Sequence, residues 1–326
     1  MIQAVLGNPS HPEYGVVTIP FPIPHDQYAH CMELLEALEI GDAVKADCKV
    51  EEIDSFYTVL KRTEMRTVNV EELNYLAKRL DSFDTGEAAQ FQAMAHKLEL
   101  FQLKDLINLT FCCQQATVIT DFSDLAAVGR DHYMNLHGGS ASVDELDKLD
   151  VEETARQPIE NGGGTITPYG VVYDNGMKLE QIYDGHFFPC YYYEPNAITV
   201  AVTSKAEPED TEHITWLYLP MAQEELDRAL LRGGITDPAD VRLRLEDSQL
   251  PMRWMSCWIW SMKPFPTSTN WQRQRMGYQK RIWKSWAPWS CWQSQRPRRR
   301  SKTLRKASTS LTLPPARTLP PSTAST

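Results

Sequence analysis

The sequence lacks several features that mark common functional classes. Before Pro251 it has no apolar run of membrane-spanning length and no charged-then-apolar leader. It has no Gly-rich loop ending in Gly-Lys-Ser/Thr, the phosphate cradle of P-loop proteins. Its cysteines there follow no metal-binding or disulfide spacing. They are Cys31, Cys48, Cys112, Cys113 and Cys190. These absences predict a cytoplasmic protein with reduced thiols, no metal and no cofactor.

Two chemically different stretches meet near Pro251. From Met252 to Thr326 the chain has 15 Lys and Arg residues, no Asp or Glu, and eight of the nine Trp. The first 251 residues hold the other 18 basic residues and all 43 acidic ones, a formal charge of −25. A natural domain boundary seldom changes composition so sharply, so the two stretches need separate explanations.

The stretch at 252–326 has no helical or alternating pattern, and two explanations are open. One is a nucleic-acid-binding tail, in which Arg296 and Arg298–Arg300 contact phosphates and Trp rings stack on bases. The other is a frame-shifted translation. Trp has the single codon TGG, so reading one nucleotide earlier turns each Trp into Leu, Met or Val, followed by a small or acidic residue. The second explanation is favoured, and it predicts a tail that is disordered or out of frame.

Hydrophobic periodicity predicts an α+β fold of several small domains in the acidic stretch. The predicted domains are a small α+β domain at 1–62, a helical domain at 63–105, a mixed α/β domain at 106–195 and a second copy of the first domain at 196–251. In the first domain, Tyr14–Phe21 and Cys48–Ile53 have strand patterns, and a helix with one apolar stripe follows Asp26.

Helix and strand signals continue through the middle of the chain. Asn69 followed by Glu72 resembles a capping box that opens a helix, and Gly86–Leu98 has the pattern of a second helix. Further patterns predict a strand at Ala116–Thr120 and a helix from Phe122 to near His137. A very acidic segment follows at 144–153. Two more strands are predicted after it, at Tyr169–Tyr173 and Phe187–Tyr193.

Residues 197–251 repeat the pattern of the first domain. Ile198–Thr203 parallels Ile2–Leu6, and Ile214–Leu219 parallels Val16–Phe21. Each copy has the order strand, strand, Pro, helix with an acidic start, Gly, strand. The match is one of pattern with few identities, and it predicts an internal duplication.

Little in the sequence suggests catalysis. Cys190 and His186, four residues apart in a predicted strand, would share one sheet face as a nucleophile and its base. Nothing in the sequence orients that histidine, so a small hydrolase remains the weaker alternative. Carboxylates are too abundant for a catalytic pair to be singled out. We therefore predict that the protein is not an enzyme.

The surplus of acid is the strongest remaining signal. The acidic residues lie between apolar positions at helix and strand spacing, so they decorate folded elements. A charge of −25 opposes folding through self-repulsion and exceeds what solubility requires. DNA carries roughly one negative charge per 1.7 Å of its axis, and its binders pair Lys and Arg with those charges. A rigid acidic surface can occupy the same basic groove.

Three stretches resemble the ArdA-type antirestriction proteins, in particular the tandem-duplicated forms carried by mobile elements. They are EYGVVTIPFPIP at 13–24, INLTFCCQQATVITDFSDLAAVGRDHYMNLHGG at 107–139 and ITPYGVVYDNG at 166–176. The resemblance covers residues 1–251 and includes no catalytic motif. The chain departs from the family after about Pro251, where the favoured explanation places the frame shift. That departure puts activity and dimerisation in doubt.

The resemblance implies an elongated acidic dimer that mimics bent B-form DNA. Such proteins inhibit type I restriction–modification enzymes by occupying their DNA-binding groove, without contacting nucleic acid or membrane themselves. No catalytic residue transfers from the family, so only acids on predicted surface elements are candidates for the mimic. They are Glu71, Glu72, Asp81, Asp84, Glu87, Asp121, Asp124, Asp144, Glu145, Asp147 and Asp150. The alternative is an acidic interaction or regulatory module of a mobile element without antirestriction activity.

Overall fold

The computed structural model describes residues 1–249, except 139, 192–195, 206–211, 236, 238 and 239. Within these residues the chain is a mixed α+β protein with small antiparallel sheets and several helices, which confirms the predicted fold class. The predictions made for the tail at 252–326 lie outside the described residues. No described helix has both the length and the apolar character that crossing a bilayer requires.

The first sheet is built from the N-terminal quarter of the described chain. Its strands are β1 (Ile2–Gly7), β2 (Val16–Phe21), β3 (Cys48–Ser55) and β4 (Thr67–Val68), and the helix α1 (Tyr28–Glu36) lies between β2 and β3 in the chain. The strand order is β2-β1-β3-β4, and every pair is antiparallel. Ile2, Ala4 and Leu6 are buried because successive strand side chains point to opposite faces and one face is covered.

Three helices follow, and their first turns explain where two of them begin. They are α2 (Val70–Asp81), α3 (Thr85–Lys97) and α4 (Leu103–Leu109). Asn69 caps α2, and Asp84 forms a capping box with Glu87 at α3, so both side chains satisfy N–H groups that a helix start leaves open. Both helix predictions are confirmed. Glu72 closes no capping box, because its carboxylate accepts a hydrogen bond from the Tyr183 hydroxyl instead.

The second sheet is small and carries three helices. Its strands are β5 (Thr117–Ile119), β6 (Thr165–Thr167) and β7 (Gly170–Tyr173), and the helices between β5 and β6 are α5 (Leu125–Leu136), α6 (Val143–Leu146) and α7 (Val151–Glu160). The strand order is β5-β7-β6. A Cβ atom at Gly129 would stand 1.8 Å from the carbonyl oxygen of Val151, so α5 and α7 touch where no side chain fits.

The third sheet repeats the architecture of the first. It comprises β8 (Ile198–Ser204), β9 (Thr215–Leu219) and β10 (Val241–Ser248), with α8 (Gln223–Arg232) between the last two. In both sheets the first strand is central, and the next two strands flank it in antiparallel pairs. Ile198 pairs with Leu219 as Ile2 pairs with Phe21, and the third strand bulges in each. The duplicated pattern of the sequence therefore has a counterpart in strand order and register.

Most buried apolar side chains form one cluster that extends from Ile2 to Tyr191. A smaller cluster of Ile119, Val128, Ala155 and Tyr173 lies under α5 and α7. The domain limits predicted after residues 62 and 105 fall within the larger cluster, and all the predicted limits remain predictions. The acidic region from 121 to 160 thus has a small core of its own beside the main one.

Two segments differ from the local sequence signals. The strand predicted at Phe187–Tyr193 is wrong over 187–191, which form no strand, and its last two residues lie outside the described ones. Its aromatic residues stack instead: the Phe188 ring lies 4.6 Å from the Tyr75 ring and 5.2 Å from the Tyr183 ring. The acidic segment at 144–153 forms most of α6 and the start of α7, with a turn and an irregular link over 147–150 between them.

Candidate acidic interaction surface

Acidic side chains are concentrated on the helices of the second sheet. Residues 120–160 contain ten acidic and three basic residues. The six candidate acids of this region are all exposed: Asp121, Asp124, Asp144, Glu145, Asp147 and Asp150. The structure adds Glu152, Glu153 and Glu160, which are exposed on α7 and were not among the sequence candidates. We call these nine residues the acidic ridge.

Backbone N–H groups hold several carboxylates of the acidic ridge in place. Asp121, Asp124, Glu145 and Asp150 each accept one such hydrogen bond, over 2.8 to 3.1 Å. Hydrogen bonds from backbone N–H groups lower the pKa of Asp121 and of Glu145, because they favour the ionised form. Four carboxylates of the ridge are therefore held in place by the backbone, and for Asp121 and Glu145 the same hydrogen bonds favour the charged form.

The start of α3 adds to the same negative field. Burial raises the pKa of Asp131, and the positive charge of Arg130 lowers it. The negative charges of Asp84 and Asp124 raise it further. Asp84, at the start of α3, therefore contributes to the electrostatic environment of α5. Of the other candidates near this point, Asp81 is 65% exposed at the end of α2, whereas Glu87 is half-buried in its capping box.

Two of the sequence candidates do not lie on the surface. The prediction that Glu71 and Glu72 occupy an exposed face of α2 is wrong, because their side chains are only 14% and 16% exposed. Glu71 pairs with Arg228 and accepts a hydrogen bond from the Tyr28 hydroxyl at 2.9 Å. Both acids face α8, so they join the unit that contains the third sheet to α2, and they are unavailable to a partner.

Arg232 is the central cation of this α2–α8 contact. Its side chain is 5% exposed, and its Nη1 atom donates to the Ala43 carbonyl oxygen at 2.8 Å and to Asn69 Oδ1 at 2.9 Å. Its Nη2 atom donates to the Tyr183 hydroxyl and lies 3.8 Å from Glu72 Oε1. A buried guanidinium is tolerated when its donors and its charge are both matched, and here they are.

A second ionic group lies further along the same contact. Glu225 Oε1 is 3.2 Å from Lys78 Nζ, and Glu225 Oε2 is 3.1 Å from His25 Nδ1. Burial alone would raise the pKa of Glu225, but the hydrogen bond with His25 and the charge of Lys78 outweigh it and lower the pKa to about 2. This carboxylate is therefore ionised, and it belongs to the fold and not to the acidic ridge.

A faint sequence signal for this contact exists. Glu225, Arg228 and Arg232 recur at helical spacing on α8, and so do Glu71 and Lys78 on α2. Either stripe taken alone is typical of a helix face in water. Only matching the two stripes, about 150 residues apart in the chain, would have predicted that they pack together.

The hypothesis of a nucleophile and base at Cys190 and His186 loses its geometric basis. It required both residues to lie on one strand, and residues 186–191 form no strand. The Cys190 thiol accepts a long contact of 3.7 Å from the Tyr218 hydroxyl, and the carbonyl of His186 accepts a hydrogen bond from Arg232 Nε. Among the described residues, no group of three or more His, Cys, Asp or Glu side chains is placed to hold a metal ion.

Comparison of the chain with models of protein families, with curated proteins and with solved structures found no match. The resemblance to antirestriction proteins therefore depends on the three stretches of sequence quoted above.

Proposed function

We propose that this protein is a DNA mimic that inhibits a type I restriction–modification enzyme by occupying its DNA-binding groove. The observation that carries the proposal is the acidic ridge, nine exposed acids on one helical region, four of whose carboxylates accept bonds from backbone N–H groups. In this proposal the protein is cytoplasmic and not an enzyme, it uses no cofactor and contacts no nucleic acid, and it acts as a homodimer.

The physical basis is competition for cations. A DNA-binding groove carries Lys and Arg side chains whose pairing with phosphates supplies much of the affinity for DNA and makes it fall steeply with salt. A protein whose carboxylates are already fixed loses little side-chain entropy on entering such a groove. The acidic ridge should therefore bind basic grooves in general, and binding should weaken as salt screens the charges.

A second candidate function is a module that binds a basic protein through a mixed surface. The observation that favours it is the set of apolar side chains exposed beside the acidic ridge. They are Phe122, Leu136, Val143 and Ile166. A contiguous apolar patch rimmed by polar groups marks a protein-binding surface, so this function requires these side chains to act together as one patch. Capture of a basic partner other than a restriction enzyme, at the same residues, would favour this function.

The first prediction concerns displacement of duplex DNA from a purified type I restriction–modification enzyme by the full chain. We expect inhibition to fall as salt rises from about 50 to about 200 mM, because both partners are charged. The variant Asp144→Asn with Asp147→Asn should inhibit roughly five-fold less well, since two exposed charges are removed. Asp147 is the C-cap residue of α6, but it caps through its backbone N–H, and the N-cap side chain is that of Ser142. Neither substituted carboxylate makes a capping hydrogen bond, so the fold should be unchanged.

The matched control carries Glu33→Gln with Glu36→Gln, two exposed acids on α1 that lie outside the acidic ridge. It loses the same charge and should inhibit as the unmodified protein does. Equal losses in both double variants would show that net charge acts without a defined surface. Inhibition that does not change with salt would contradict phosphate mimicry.

A further inference from the structure

A cleft of about 230 Å³ opens where the first sheet meets the junction of α2 and α3. Its walls come from the start of β1, the end of β2, the residues after β3 and the bend between the two helices. Four aromatic rings and two carboxylates give the cleft its chemistry. They belong to Phe21, Phe56, Tyr57, Phe83, Asp81 and Asp84.

The rings of the cleft are held in position by their neighbours. The Phe56 and Tyr57 rings meet edge to face, with centroids 5.5 Å apart and planes 84° apart, so they form a corner. The Tyr57 hydroxyl donates to the Leu80 carbonyl oxygen at 2.7 Å. Tyr57 and Phe83 also both pack edge-on against the buried Phe91 ring. Phe56 itself is 69% exposed, so its ring is accessible to a ligand in the cleft.

The electrostatics of the cleft favour a cation. Asp81 is the last residue of α2, where the helix carbonyls already carry partial negative charge, so a carboxylate there is unfavourable for folding. The basic side chains of the same turn point elsewhere: Lys78 reaches Glu225 at 3.2 Å, and Arg79 Nε donates to Thr110 at 3.1 Å. Asp84 adds a second carboxylate across the bend.

The described lining of the cleft contains no Lys or Arg side chain. The ammonium of Met1 lies 4.0 Å from Asp81 Oδ1, in a pair whose members are 71% and 65% exposed. Pairs as exposed as this contribute little to stability, so another cation can displace the ammonium readily.

We propose that this cleft binds the guanidinium group of an arginine side chain. A guanidinium is planar, stacks on aromatic faces and is more weakly hydrated than an ammonium, so the corner of Phe56 and Tyr57 beside Asp81 suits arginine better than lysine. The source of that arginine, the basic groove of the partner enzyme, rests on the proposed function. The binding of the guanidinium itself does not, because it follows from the cleft alone.

The test titrates the full chain with N-acetyl-arginine methylamide and follows the aromatic NMR signals. The matched probes are the citrulline analogue, which has a similar planar shape but no charge, and the lysine analogue, which has a positive charge but no planar group. We expect saturable shifts confined to Phe56, Tyr57 and Phe83 with the arginine probe, weaker shifts with lysine and none with citrulline.

Two variants make the test specific. Phe56→Leu removes an exposed ring and Asp81→Asn removes a carboxylate, and each should weaken binding of the arginine probe about three-fold. Glu36→Gln, an exposed acid on α1, should leave binding unchanged. Equal shifts with arginine and citrulline, or unchanged binding in both variants, would overturn the proposal.

The two proposals fail separately. If the arginine probe binds but the chain does not displace DNA from a restriction–modification enzyme, the cleft is real and the proposed function is wrong. If DNA is displaced but the probe does not bind, the acidic ridge acts alone and the arginine site is wrong.

Discussion

At the scale of single residues, Arg232 determines how the duplicated unit attaches to the rest of the chain. Its donors reach the Ala43 carbonyl, Asn69, the Tyr183 hydroxyl and the carbonyl of His186. Glu72 supplies the opposite charge, although burial raises the pKa of this carboxyl. No apolar side chain could satisfy all these acceptors, so the ion pairs of Glu71 and Glu225 in the same contact cannot replace Arg232.

We expect Arg232→Met to destabilise the protein by about 3–5 kcal/mol, because the change leaves a buried acid and several acceptors without their partner. The free energy of unfolding in urea measures it. Arg244→Met is the control: Arg244 is half-exposed on β10 and pairs with Glu246 two residues away. That change should cost less than about 0.5 kcal/mol. Similar small losses in both variants would refute the role given to Arg232.

At the scale of elements, Gly129 allows α5 and α7 to lie side by side. We expect Gly129→Ala to separate the two helices, because its methyl group would stand 1.8 Å from the Val151 carbonyl oxygen. The loss should exceed about 3 kcal/mol and should appear as faster hydrogen exchange in α7. The inhibition that we propose for the acidic ridge should fall with it.

Gly86→Ala is the control for that substitution. Gly86 lies in α3, and its Cβ atom would meet only the Asp84 carboxylate, at 3.3 Å. The substitution should be neutral or stabilising by up to about 1 kcal/mol, because alanine restricts the unfolded chain more than glycine does. If Gly129→Ala behaved in the same way, the close crossing of α5 and α7 would be wrong.

The hydrogen bond between His132 on α5 and Thr117 on β5 should make the stability of the fold depend on pH. The Thr117 hydroxyl and His132 Nδ1 are 2.8 Å apart in the interior, and burial lowers the pKa of His132 from 6.5. The unfolded chain therefore binds a proton at His132 more readily than the folded protein does. This contribution to stability is complete above about pH 6.5 and is lost as the pH falls through the lower pKa of the folded state.

Urea unfolding at a series of pH values measures this effect. The unmodified protein should lose stability below about pH 6.5, and His132→Gln should remove that part of the dependence while keeping a hydrogen-bonding side chain near Thr117. An identical pH profile in the variant would exclude His132 as its source.

At the scale of the whole molecule, the sequence predicts those structural features that depend only on residues close together in the chain. Alternation in β1 and β2, the Asn69 cap of α2 and the repeated order of elements after residue 197 are all visible locally, and each has its counterpart in the structure. The exposure of the six candidate acids between residues 121 and 150 is also as predicted, because loops and helix starts in a charged segment face water.

Other features depend on contacts that no short segment contains. The aromatic segment that begins at Phe187 looks like a strand, but its Phe188 ring stacks on Tyr75 and Tyr183. Glu71 and Glu72 look exposed on an amphipathic helix, yet α8 covers them. The arginine cleft escaped prediction for the same reason, since its walls come from four separate parts of the chain.

The pairing of Glu71 with Arg228 spans 157 residues and so has a consequence for synthesis. A ribosome adds about 5–20 residues per second, so Glu71 waits roughly 10–30 s for its partner to be translated. During that interval α2 must keep this face hydrated, since an unpaired carboxylate resists burial. A nascent chain released before residue 228 would leave this face of α2 uncovered, the kind of defect that quality-control proteases recognise.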